Sequence, residues 1–183
     1  GEQFQFVNDI FGGAIPRNFV PAVEKGIVEA AQQGFLAGFP VVDFKVTVYD
    51  GSYHDVDSSE MAFKLAGRKA FRAAMQNAKP GLLEPFMNVE VETPTEFAGD
   101  LMSDFNSRRG RISGMDIKGN TQFIKAIVPM SEMLSYQTDL TAKTQGRASF
   151  HMEFDHYDFV PALQAEKIIA AAKSQMTAHD EDE

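Results

Sequence analysis

The chain has 183 residues, 44% of them hydrophobic, with 17 Lys+Arg against 26 Asp+Glu and a formal net charge of -9. That length can bury one large core or two smaller ones, and the acidic balance excludes wholesale wrapping of nucleic acid while leaving local basic patches free to act. No cysteine is available for a disulfide framework or a thiolate metal site, and no basic-then-apolar leader or apolar run of about 18 residues points to secretion or membrane spanning; a cytoplasmic protein fits this composition.

Phe4, Phe6 and Ile10 open the sequence as part of a strand with no turn before it, which reads as a piece of something larger. Gly12-Gly13 supplies a loop able to hold positive φ. Ile15-Pro16 predicts a first helix, with Val20, Val23, Ile27, Ala30 and Ala31 at helical spacing, Gly34 closing it and Pro21 marking a kink or a restart. Val42, Phe44, Val46 and Val48 then alternate with Asp43, Lys45, Thr47 and Tyr49, the period of a strand with one buried face.

Asp50-Gly51 ends that strand. Asp57, three residues ahead of Glu60, predicts a capping box and a helix from about Ser58. Between strand and helix lies Tyr53-His54-Asp55-Val56-Asp57-Ser58, where only Val56 is a large aliphatic residue able to draw the loop inward. This stretch belongs at an exposed tip and is the leading functional candidate. In the helix behind it, Phe63, Ala66, Ala70 and Ala73 form the expected buried stripe. Lys64, Arg68 and Arg72 stand four residues apart on one ridge, with Lys69 beside them. Such a ridge is either a solvated face or an edge that positions the protein on RNA phosphates.

Ala78-Lys79-Pro80-Gly81 breaks the helix and divides the chain into residues 1–79, 80–160 and a closing segment 161–183. Met87, Val89 and Val91 predict a strand, and Thr93-Pro94-Thr95-Glu96 a capped helix with Phe97, Leu101 and Phe105 inward, ending at Arg108-Arg109-Gly110 with Gly110 left-handed. Ile112–Ile117 and Gln122–Val128 read as strands joined at Lys118-Gly119-Asn120. A helix from Met130 to Thr141, packed through Met130, Met133, Leu134 and Leu140, closes at Gln145-Gly146, and Phe150, Met152 and Phe154 mark a last strand. The order β-α-β-β-α-β is that of a ferredoxin-like sandwich, so the fold class is α+β. Pro161 starts a final helix, and Asp180-Glu181-Asp182-Glu183 reads as a disordered acidic end.

For chemistry, Asp50, His54, Asp55 and Asp57 are the residues that could ligate a metal or exchange protons, which keeps a metal-dependent hydrolase as a remote alternative. A single exposed loop offers no cleft and nothing to exclude water. There is no phosphate-binding glycine loop and no GxSxG elbow. His151 and His156 are expected on the surface. No catalytic, cofactor-binding or metal residue is assigned, and the chain is not expected to be an enzyme. Arg108, Arg109 and Arg111 form a basic cluster that serves either helix capping or a phosphate clamp.

Gly12-Gly13-Ala14-Ile15-Pro16, Pro21-Ala22-Val23-Glu24-Lys25-Gly26, Gly51 through Phe63, Leu82-Leu83-Glu84-Pro85, Ser107-Arg108-Arg109-Gly110 and Thr144-Gln145-Gly146-Arg147 closely resemble the last two domains of the bacterial elongation factor G family. The resemblance implies a ribosome-binding, non-catalytic part of a GTPase that moves tRNA and mRNA. In that family a first domain with a left-handed βαβ crossover, here incomplete at its start, carries a tip that enters the decoding region. A histidine of that tip corresponds to His54. The second domain is ferredoxin-like and lies near the large-subunit factor-binding RNA. GTP and magnesium belong to a G domain outside this sequence, as does the family's other tip loop, and a monomer is implied. The family's Gly-Tyr-Ala-Thr-Asp-Leu-Arg-Ser is Ser135-Tyr136-Gln137-Thr138-Asp139-Leu140-Thr141-Ala142 here, a departure that suggests a divergent second copy. A paralogue acting in ribosome recycling or ribosomal protection is the alternative.

Overall fold

The structure is a computed structural model that describes residues 4–180, with side chains through Ser174. Its contacts divide the chain into two compact units, one running up to Gly81 and including the chain from Ala162 onward, the other Leu82–Pro161.

The first unit pairs strand β1 (Phe4–Asn8) in parallel with β2 (Phe44–Val48), Phe6 opposite Val46. Val42 stays outside the strand and is exposed, because Asp43 takes a left-handed φ of 56° that breaks the alternation before Phe44. Between the strands, Pro16 leads into a 3-10 turn, Arg17–Phe19, and Pro21 sits in the first turn of helix α1 (Val20–Gln33), where its missing N–H has no helical partner to lose. The expected restart is therefore real. Helix α2 (Glu60–Asn77) buries Phe63, Gly67 and Phe71 rather than the predicted alanines, and Ala66, Ala70 and Ala73 remain exposed. The reason is the helix that covers it. A Cβ on Gly26 would lie 2.0 Å from the Lys64 carbonyl oxygen and one on Gly67 2.5 Å from that of Val23, so the backbones of α1 and α2 touch where only glycine fits. Ile15, Val20, Val23, Ile27, Phe63 and Phe71 fill the core around that crossing.

The second unit is a four-stranded antiparallel sheet in the order β4 (Arg111–Lys118), β5 (Thr121–Pro129), β3 (Leu83–Pro94), β6 (Ser149–Phe159). Helices α3 (Ala98–Ser107) and α4 (Tyr136–Thr144) fill the two crossovers, which completes the ferredoxin-like topology. Val89, Val91, Leu101, Phe105, Ile124, Val128 and Tyr136 have no accessible surface, and each such side chain contributes about 1.5–3 kcal/mol of apolar burial.

Three local expectations change here. Pro94 precedes a 3-10 turn instead of a capping box, because the Thr95 hydroxyl donates to the Asn120 carbonyl at 3.0 Å across to the β4–β5 turn. Arg109, not Gly110, takes the left-handed conformation, at φ 57°; Gly110 is needed because a Cβ there would meet the Phe105 carbonyl oxygen at 2.7 Å. The helix predicted from Met130 begins at Tyr136, after a 3-10 turn (Met130–Glu132), which leaves Leu134 exposed and puts Tyr136 in the core. Helix α5 (Ala162–Asp180) follows β6. Asp180 is its last residue, so the start of the acidic run is helical, and residues 181–183 lie outside the described residues.

Candidate nucleic-acid interface

The loop between β2 and α2 is held from below and bare on top. At its base, Asp50 Oδ1 accepts the Gly51 N–H at 2.7 Å. Gly51 abuts Ile15, whose Cδ1 would stand 2.5 Å from any Cβ placed there. Higher up, the Tyr53 ring leans on Phe19 at 5.8 Å, and Phe19 stacks on Phe63 of α2 at 4.7 Å. The nearby Asp55 carboxylate favours the neutral, hydrogen-bond-donating form of the Tyr53 hydroxyl and raises its ionisation above the usual tyrosine range. Tyr53 is thus a buttress as much as a surface.

His54 is fixed through its backbone. Its carbonyl accepts the N–H groups of Asp57 at 3.2 Å and Ser58 at 3.0 Å, and its own N–H donates to Ser58 Oγ at 3.0 Å. Ser58 is thereby spent on the turn. Ser59, extended at φ -147°, caps α2 by accepting the Ala62 N–H at 3.1 Å, so the Asp57–Glu60 capping box is not formed and the helix starts at Glu60. The imidazole of His54 and the side chains of Asp55 and Asp57 are exposed, and Val56 crowns the turn at 93% exposure. Asp50, His54, Asp55 and Asp57 do not converge: among the described residues there is no cluster of three or more such groups able to hold a metal ion.

Behind the tip, Lys64, Arg68 and Arg72 follow one position after Phe63, Gly67 and Phe71, so the ridge flanks the seam with α1. Lys64 Nζ pairs with Glu29 Oε1 at 2.8 Å, and that hydrogen bond holds the Glu29 carboxyl below its usual range despite partial desolvation. Arg68, Lys69 and Arg72 have no ion-pair partner among the described residues.

Arg108 and Arg109 are placed differently. Arg108 donates to Asp104 at 2.9 Å, to the Glu132 carbonyl at 2.6 Å and to Asp139 at 2.6 Å, and its guanidinium lies over the Tyr136 ring. Arg109 grips both oxygens of buried Glu84, at 2.7 and 2.9 Å, and reaches Glu132 at 3.2 Å. Their forks are filled from inside the unit, which is the capping-type alternative rather than a phosphate clamp. Arg111, exposed at the start of β4, has no ion-pair partner among the described residues. The Asp104–Arg108 spacing of four is a visible signal for this interior role; Glu84 and Asp139, far off in the sequence, give none. Sequence reasoning likewise misses Ile15 and Phe19 as supports of the tip. Both histidines of β6 are exposed as expected, His156 stacked on Phe86 at 5.2 Å.

A first family model, described as elongation factor G, domain IV, matches residues 1–79, and a second, the elongation factor G C-terminus, matches residues 81–168. The chain belongs to the elongation factor G family. A crystal structure from Thermus thermophilus is similar at 44% identity and a TM-score of 0.80, over 94% of this chain and 26% of the other. The chain therefore spans about a quarter of that protein's length. The two α+β units correspond to elongation factor G domain IV and its C-terminal domain, and the matched regions do not include the GTPase domain. Among the described residues no helix is long and apolar enough to cross a membrane.

Proposed function

We propose that this chain is the ribosome-contacting part of an elongation factor G-type translocase, whose tip around His54 enters the small-subunit decoding region while tRNA and mRNA move. The observation that carries this reading is the contrast at His54: two backbone hydrogen bonds and one to the Ser58 hydroxyl fix its place, and its ring is bare. A rigid, polar projection can occupy a position on RNA without making or breaking bonds. Arg68, Lys69 and Arg72, without an ion-pair partner among the described residues, supply positive charge on the helix behind it, suited to phosphates, and Arg111 offers a lesser contact from the second unit toward large-subunit RNA. Lys64, Arg108 and Arg109 act by holding their own domains. The factor works as a cytoplasmic monomer, with no cofactor in this chain; GTP and magnesium would be bound by a G domain elsewhere in the longer protein.

In that longer protein, His54→Ala should slow translocation on ribosomes while leaving ribosome-stimulated GTP hydrolysis largely intact. Unchanged translocation would sink the proposal. The departures at Gln137, Thr141 and Ala142 of α4 favour a second reading, a specialised paralogue. Subunit splitting or antibiotic release without translocation by the longer protein would establish that reading instead.

A further inference from the structure

The Gly12-Gly13 motif is absorbed by neither the fold nor the tip. Both glycines have positive φ, 66° and 73°, in a turn that Ala14 closes by donating its N–H to the Phe11 carbonyl at 3.4 Å, the mirror-image turn that glycine pairs favour. A Cβ on either would meet nothing within 4 Å. Packing therefore does not demand glycine here; backbone conformation does, and it leaves the peptide edge unshielded. Neither glycine N–H has an acceptor among the described residues.

Beside this turn is a hollow of about 420 Å³. Ile10 and Ile15 line it together with Asn8, Gly12, Gly13 and Arg17. Arg17 is exposed and has no ion-pair or hydrogen-bond partner among the described residues. Phe11, between two lining residues in sequence, is 92% exposed. Ile15 ties the hollow to the base of the tip through Gly51, so it belongs to the same rigid unit.

We propose that this hollow is a second RNA-contact site, which takes one nucleotide of a single strand. Arg17 and the bare glycine amides hold the phosphate, as a guanidinium fork and unpaired N–H groups do for anions, the lining residues Ile10 and Ile15 meet the sugar, and the base stacks on Phe11. Free aromatic rings bind unpaired bases in this manner whatever the sequence, and a volume of several hundred Å³ suits a ligand of nucleotide size. The choice of RNA rests on the function proposed above; the site itself does not include the tip.

The test titrates the isotope-labelled chain with a short oligouridine and, separately, with inorganic phosphate, and follows backbone amides by NMR. Oligouridine should shift the Gly12 and Gly13 amides. Arg17→Ala should weaken binding roughly tenfold, with Arg17→Lys recovering part of it, and should lower the salt dependence by about one phosphate contact. Phe11→Ala should weaken oligouridine binding by a similar factor and leave phosphate binding unchanged. His54→Ala should leave these shifts in place, so a failure of the tip in translocation and a failure of this site are told apart. Gly12 and Gly13 amides that stay fixed at millimolar oligouridine would overturn the proposal, as would an Arg17→Ala variant that binds oligouridine as tightly as the wild type, or phosphate binding as tightly as oligouridine. Amide dispersion of each variant reports that it is folded.

Discussion

Arg109 holds Glu84, a residue only 8% exposed, by two parallel hydrogen bonds of 2.7 and 2.9 Å. Glu84 lies at the start of β3 and Arg109 in the turn between α3 and β4, so the pair joins the entry of the sheet to its helical layer. Removing the cation leaves a buried anion with much of its hydration gone. Arg109→Ala should lower the stability of the Leu82–Pro161 unit by about 2–3 kcal/mol, read as a lower urea midpoint, and Arg109→Lys should recover only part, because an ammonium cannot match both oxygens. If Arg109→Ala unfolded at the wild-type midpoint, the pair would carry no such role.

Gly26 faces the Lys64 carbonyl at a distance that no side chain can share. Gly26→Ala and Gly67→Ala should therefore destabilise the first unit, although alanine is the better helix former by about 1 kcal/mol. Gly99, exposed in α3 with nothing within 4 Å of any Cβ placed there, is the control: Gly99→Ala should stabilise the second unit by about 0.5–1 kcal/mol. Thermal unfolding of the three variants separates the cases, and equal gains at all three would mean that α1 and α2 do not touch.

Asp139 is held below the usual aspartate range, first by the Arg108 hydrogen bond and then by that of Ser135. A carboxyl with a depressed folded value stabilises the fold above its unfolded value. That contribution is complete above about pH 4 and is lost as the pH falls through the unfolded value to the lower folded one. Asp139→Asn should flatten this acid limb of the stability profile. An unchanged slope between about pH 4 and pH 2 would show that Arg108 does not bias Asp139.

Ser58 spends its hydroxyl on the His54 N–H at 3.0 Å. Ser58→Ala should cost the turn about 1 kcal/mol, roughly a fivefold rise in local opening seen as faster amide exchange at His54, with the stability of the α1–α2 core unchanged. Exchange at the wild-type rate would show that the turn is held by its two backbone bonds alone.

Much of this protein is legible in its residues alone: the β-α-β-β-α-β order from alternation and helical spacing, the exposed loop around His54 from its lack of aliphatic residues, and the family from short local motifs. These signals are local, and periodicity reports what each element must bury. It does not report against what. Helical spacing places Phe63 in the core, but choosing Gly67 and Phe71 over Ala66 and Ala70 depends on α1 lying against backbone at Gly26.

Which charges are free is settled by folding and by nothing earlier. Lys64 and Arg68 look alike on one helical ridge, yet Glu29 neutralises the first. Arg108 and Arg109 look like a clamp for phosphate until Asp139, Glu84 and Glu132 arrive from distant positions to fill them. An ion pair needs its two groups within a few ångströms, and chain folding rather than sequence spacing sets that distance, so the availability of a cation for RNA is a property of the fold.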